Sequence, residues 1–160
     1  MEEQAVFVWV ARATADVLDR FKRDVVGGTA CAQSDFGYPA YAAEAEVQFE
    51  TEAELIAFLL SRENAEYSIY WTSTTRKVSA HFLADGSIVF TRVIEPAERA
   101  SLELIQALAD VVSAELGFVG SDLSPPPSSK AELIAEWRRA GARWRRDGSG
   151  LIPEAGEVET

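Results

Sequence analysis

The sequence predicts an α+β domain, an antiparallel or mixed sheet of about five strands with helices packed on it. Three observations carry that prediction. Residues 67–95 hold three strand-like runs, and the last two meet at Asp85-Gly86, the strongest short-range hairpin signal. Residues 44–50 (EAEVQFE) alternate cleanly, with Ala45, Val47 and Phe49 inward and Glu44, Glu46, Gln48 and Glu50 outward. Helical periods fall in blocks beside the strands, without a strict β-α-β repeat or any internal repeat.

Taken in order, residues 4–12 (QAVFVWVAR) are rich in Val and aromatics and read as a buried strand. Thr14 reads as an N-cap, with Val17, Leu18, Phe21 and Val25 at helical spacing and Gly27-Gly28 as the stop. Residues 27–43 follow as a long glycine-containing loop, a kind of segment that often carries function. Its aromatics Phe36, Tyr38 and Tyr41 either stand exposed or fold back onto the sheet rim. After the alternating strand, Thr51 and Glu54 make a capping box that opens a helix to about Arg62.

Tyr67 to Ser73 is the third strand, and residues 72–77 lead into the hairpin. A two-residue type I′ turn at Asp85-Gly86 pairs Ala84 with Ser87, Leu83 with Ile88, Phe82 with Val89 and His81 with Phe90. Val78, Ala80, Phe82, Val89, Thr91 and Val93 then share one face; Ser79, His81, Leu83, Ile88, Phe90 and Arg92 share the other. Neither face is cleanly polar, which predicts a mid-sheet hairpin. Glu95-Pro96 reads as the start of the longest helix, with Gly117 as its cap. Phe118-Val119 reads as a short edge strand or an anchor. The prolines of residues 124–128 form a stiff connector to a last helix, opened by a capping box at Ser129 and Glu132. That helix carries Leu133, Ile134, Trp137 and Trp144 near one face. The order is therefore β-α-β-α-β-β-β-α-α. Residues 1–146 read as a single domain and residues 147–160 as a flexible acidic tail.

A chain of 160 residues at 48% hydrophobic content can bury a core without staples, and its one cysteine excludes an internal disulfide. The start has no basic n-region and its apolar run is short, so no signal peptide or membrane span is expected, and the cytoplasm is the expected compartment. The net charge is −11. From Lys130 onward six basic residues balance six acidic ones, so the whole excess lies in residues 1–129. Such a field repels nucleic acid and favours a protein partner with a basic surface.

No catalytic constellation emerges. His81, the single histidine, sits on a strand, where a half-buried structural role outweighs a general base. Cys31 has no local signature of a nucleophile, and one His plus one Cys cannot close a zinc site. The loop GGTACAQSDFG matches no phosphate cradle, so no cofactor and no metal are expected. Glu44, Glu46 and Glu50 share a solvated strand face that supplies no desolvation for acid–base work, but suits docking to Lys and Arg. The arginines at 138, 139, 143, 145 and 146 read as docking the last helix on the acidic body.

The run YSIYWTS…AHFLADGSIVFTRVIEP, followed by a long helix and a Pro-rich segment, resembles small immunity proteins of bacterial polymorphic-toxin and contact-dependent inhibition systems. Many of those pair a YYW strand with a hairpin turning at Asp-Gly. The resemblance covers residues 67–127; this chain has Phe90-Thr91-Arg92 where a glycine is common. It implies a non-enzymatic inhibitor that binds one cognate toxin, often a basic nuclease, and blocks its active site. The candidate partner-binding surface is Phe36, Tyr38 and Tyr41 with Glu44, Glu46 and Glu50, because aromatic anchors ringed by charge build tight interfaces. Two other classes stay open. A structural component would self-associate, as a homodimer for instance, through Leu83, Ile88 and Phe90. A small enzyme would place its site in the 27–41 loop, using Cys31 or a carboxylate.

Overall fold

The computed structural model describes residues 4–27, 30–31, 36–38, 46–62, 65–73, 76–121, 127, 129–140, 143–146 and 151–153. Their strands are β1 (Gln4–Val10), β2 (Ala30–Cys31), β3 (Phe36–Tyr38), β4 (Val47–Phe49), β5 (Tyr67–Thr72), β6 (Lys77–Phe82), β7 (Ile88–Val93), β8 (Leu116–Ser121), β9 (Arg143–Arg146) and β10 (Leu151–Pro153). The α-helices are α1 (Ala15–Phe21), α2 (Glu52–Ser61), α3 (Leu102–Val112) and α4 (Lys130–Arg139). The fold is α+β. Eight strands form one sheet in the order β10-β9-β8-β1-β7-β6-β5-β2, every neighbouring pair antiparallel, and β3 and β4 pair separately.

β1 lies in the middle of the sheet because it is apolar on both faces. Val6, Val8 and Val10 enter the larger core, whereas Ala5, Phe7 and Trp9 enter the smaller one on the opposite face. β7 and β8 flank β1 and so run parallel to each other, joined by α3 across the larger core. Helices α1, α2 and α3 contribute Leu18, Phe21, Leu55, Leu59, Ile105 and Leu108 to that core. On the other face, α4 lays Leu133 against Phe7, Trp9 and Phe118. Helices thus cover both faces of the sheet.

Capping chemistry sets the helix starts. Thr14, Thr51, Ser101 and Ser129 each accept a hydrogen bond from the backbone N–H three residues on, at 3.2–3.3 Å. The Thr51–Glu54 box is reciprocal, as the sequence predicts. α1 continues as a π-helical turn over Lys22–Val26 and stops at Gly27, whose φ is +55°.

Several expectations need correction. The hairpin turn has three residues, not two: the Gly86 N–H donates to the Leu83 carbonyl and the Leu83 N–H to the Ser87 carbonyl. Gly86 has φ +88°, and no described non-glycine residue of the turn has positive φ, so this is the type I turn with a glycine bulge. Phe82 consequently faces Ile88 and His81 faces Val89, one residue from the expected register. That slip reassigns the faces. Ala80, Phe82, Ile88 and Phe90 all enter the larger core, while Leu83 and Val89 enter the smaller one under α4. Leu83, Ile88 and Phe90 are therefore at most 1% exposed and cannot form a self-association surface.

α3 begins at Leu102 rather than Pro96, because the Glu98 carboxylate accepts the Glu95 N–H and holds Glu95–Glu98 as a turn, leaving Ser101 as the cap. Gly117 lies inside β8, not at a helix end; the left-handed residue after α3 is Ser113. β8 is an interior strand. The last helix ends at Arg139, and Arg143–Arg146 leaves it to pair with β8. Trp144 then fills the larger core opposite Gly117. Two of its arginines dock on carbonyls: Arg143 Nη1 donates to Arg138 O at 2.6 Å and Arg146 Nε to Ala114 O at 2.8 Å. Leu151–Pro153, expected in a flexible tail, pairs with β9. With these additions the main sheet exceeds five strands, since periodicity alone gives no signal for four- and three-residue edge segments.

Gly117 yields a direct test of this packing. A Cβ built there would lie 2.5 Å from Ile105 Cγ2 and 3.3 Å from Val8 Cγ1, both in the larger core. Ile105 is fully buried and has nowhere to retreat. Gly117→Ala is expected to cost about 1–3 kcal/mol, read as a lower urea midpoint at unchanged m value.

Candidate functional site

The two-stranded ladder β3–β4 and helix α2 build the surface on which most of the candidate residues fall. Phe36 pairs with Phe49 and Tyr38 with Val47, so these four side chains share the inner face. Glu46, Gln48 and Glu50 point to solvent, as the alternation predicts. The Glu46 N–H donates to the Tyr38 carbonyl at 2.8 Å, and Glu54 Oε1 accepts from the Thr51 N–H at 3.1 Å and the Glu50 N–H at 3.3 Å. The acidic row is thereby carried on backbone fixed at both ends.

Beneath it lies an aromatic cluster. Tyr38 meets Phe58 edge-on at 5.2 Å and Tyr67 at 6.2 Å, and Phe49 meets Phe58 at 5.0 Å. Tyr67 Oη donates to Gly37 O at 3.0 Å, fastening β3 to the main sheet. Tyr38 is 8% exposed and belongs to the core, so it is removed from the expected contact surface. Phe36 is half-buried against the same core. Arg62 stacks over Tyr38 at 4.8 Å and reaches Glu46 at 3.6 Å. Both ends of that ion pair are exposed, so it is weak. Tyr41 and Glu44 lie outside the described residues. The structure thus keeps Glu46 and Glu50 exposed at the two ends of β4 and puts Phe36 and Tyr38 on the opposite, inner face.

A second polar cluster, which the sequence did not reveal as a unit, lies within the main sheet. His81 Nδ1 is 2.7 Å from Ser68 Oγ and its Nε2 is 2.8 Å from Ser79 Oγ, which in turn bonds Thr91 Oγ1. Tyr70 packs edge-on to the imidazole at 5.6 Å. Register explains the grouping, because Ser68 pairs with His81 on β6, and Ser79 with Thr91 on β7. Burial pushes the His81 pKa down from 6.5 to about 4. A Ser–His contact is a building block of nucleophilic sites. Here both ring nitrogens are already occupied by hydroxyls, and His81 and Ser79 are 6% and 4% exposed. The arrangement satisfies buried polar groups. Cys31 pairs through its backbone with Trp71 on β5, away from His81's partners; its side chain lies outside the described residues.

Asp85 serves the fold rather than chemistry. Its carboxylate accepts from the Ser87 N–H at 3.0 Å, the Ser87 hydroxyl and the Lys130 N–H at 2.9 Å. The hairpin tip is thus tied to the first turn of α4. Partial burial opposes ionisation, but the Ser87 and Lys130 bonds outweigh it and hold the Asp85 pKa below its ordinary value. Among the described residues no group of three or more His, Cys, Asp or Glu could hold a metal ion, and no helix is long and apolar enough to cross a membrane.

No family model, no curated protein and no solved structure matches this chain.

Proposed function

We propose that this chain is a non-enzymatic acidic binding protein of the cytoplasm, an inhibitor of the immunity type that neutralises a cognate basic, nuclease-like toxin. The observation that carries the reading is the row of exposed Glu46 and Glu50 on backbone locked by the Thr51–Glu54 box. A rigid carboxylate row loses little entropy on meeting Arg or Lys, and it sits in a net field of −11 that speeds encounter with a basic surface. The half-buried Phe36 lies on the inner face of the ladder and braces the strand that carries the row. The resemblance of residues 67–127 to immunity proteins supports the same reading.

The test is capture of partners at low and high salt with the chain as bait, followed by binding kinetics on the basic partner retained. Glu46→Lys with Glu50→Lys is expected to weaken that complex roughly tenfold or more, mostly through slower association at low salt. Unchanged kinetics in the double variant would remove the acidic row from the interface. Capture of no basic protein would overturn the reading.

A further inference from the structure

We propose that α4 is a detachable strap, which lifts from the smaller core while the sheet and the larger core stay folded. Lifting uncovers an aromatic face that the closed chain hides. Burial is the first argument. Among the ten residues of α4 only Leu133 is fully buried, while Trp137 and the cap residue Ala140 pack half-buried beside it. Lys130, Glu132, Arg138 and Arg139 are exposed. No residue of α4 enters the larger core, which holds β1, β7 and β8 from the opposite face through Val6, Val8, Ile88, Phe90 and Val119. A helix this short is marginal in water, so α4 stays helical only while it is docked.

The polar attachments sit at the two ends of α4, and their anchors are secured elsewhere. At the start, the Lys130 N–H donates to Asp85 and the Lys130 ammonium lies 4.9 Å from the centre of the Trp9 ring. At the end, the Trp137 indole donates to Trp144 O and Arg143 to Arg138 O. Asp85 is also held by Ser87 within its own turn, and Trp144 by the larger core on a strand paired with β8. Trp9 supplies the last argument. Its indole N–H is buried and has no hydrogen-bond partner among the described residues. An unmet buried donor destabilises the closed state, and lifting α4 lets water reach the ring. The open state presents Phe7 stacked on Phe118 at 4.9 Å, with Trp9, Leu83 and Val89 around them. That exposed apolar surface is what closes the strap again.

The test is native-state hydrogen exchange of the full chain, followed residue by residue in urea below the unfolding transition. The amides of Leu133 to Arg139 are expected to exchange at least about a hundredfold faster than those of β1, with little dependence on urea. The β1 amides are expected to exchange only through global unfolding, with its full urea slope. A second readout separates lifting from fraying of the helix ends. In a Cys31→Ser background, Val89→Cys places a single thiol in the smaller core. Its labelling by a maleimide is expected to show the same weak urea dependence as the α4 amides. Should that double variant fail to fold, exchange in the parent chain decides alone. Amides of α4 that share the rate and urea slope of β1 would overturn the proposal. So would a Val89→Cys thiol that labels only with global unfolding.

Discussion

Phe90→Ala is expected to lower stability by about 3–5 kcal/mol. The ring is fully buried in the larger core, 4.4 Å from Phe21 by ring centroids, between cross-strand neighbours Ala80 and Val8. Ala80 is small, so the Phe90 ring supplies the volume there. The backbone on both sides is strand ladder and cannot collapse into the vacancy, which puts the cost toward the upper part of the range. Urea unfolding reads it as a reduced midpoint at constant m value. A loss under about 1 kcal/mol would mean that Phe90 does not stand against Phe21, and the hairpin register would then have to slip by one residue.

That register is also where the sequence was hardest to read. Asp-Gly marks the turn correctly, but a two-residue I′ turn and a three-residue type I turn with a glycine bulge both want glycine at this place. The choice between them decides which side chains share a face, and it is made by tertiary packing: only the longer turn places Phe82, Ile88 and Phe90 in one core. Local signals served well where one strong feature dominated. The Thr14, Thr51 and Ser129 caps and the outward Glu46 and Glu50 are as expected. They failed where two signals competed. Pro96 suits a helix start, yet Ser101 wins because its hydroxyl satisfies the Leu104 N–H. Trp144 falls at helical spacing from Trp137, yet the chain turns back and the indole of Trp137 donates to the Trp144 carbonyl at 2.9 Å. Tyr38 shows the limit for the candidate site. An aromatic in a glycine-containing loop gives no sign of which face it takes until its partner Val47 is known.

Lowering the pH from 7 to 5 is expected to remove about 2 kcal/mol of stability through His81 alone. The sign follows from the direction of the shift. In the folded chain burial holds the His81 pKa at about 4, below its ordinary 6.5. Between those values the unfolded chain takes up a proton that the folded chain refuses, so stability is complete above pH 6.5 and falls as the pH drops toward 4. Integrated over that window, the loss is about 3 kcal/mol. Below pH 4 both states bind the proton and His81 contributes no further change. Asp85 and Glu98, whose pKa values are lowered by hydrogen bonding, add their own loss only as the pH falls below the ordinary carboxylate range. The two contributions therefore separate in pH. The chain has one histidine, so the imidazole can be titrated directly by proton NMR, and its midpoint should lie near 4 for as long as the fold persists. His81→Gln keeps a donor and an acceptor between Ser68 and Ser79 but cannot titrate. Its stability should be nearly flat between pH 7 and 5, whereas the parent chain declines. Parallel curves for the two proteins, or an imidazole titrating near 6.5, would mean that the ring is hydrated and the Ser68–His81–Ser79 cluster open to solvent. A flat variant beside a declining parent would instead identify the imidazole as the group through which mild acid loosens the β5–β6–β7 part of the sheet, a region distinct from the acidic row.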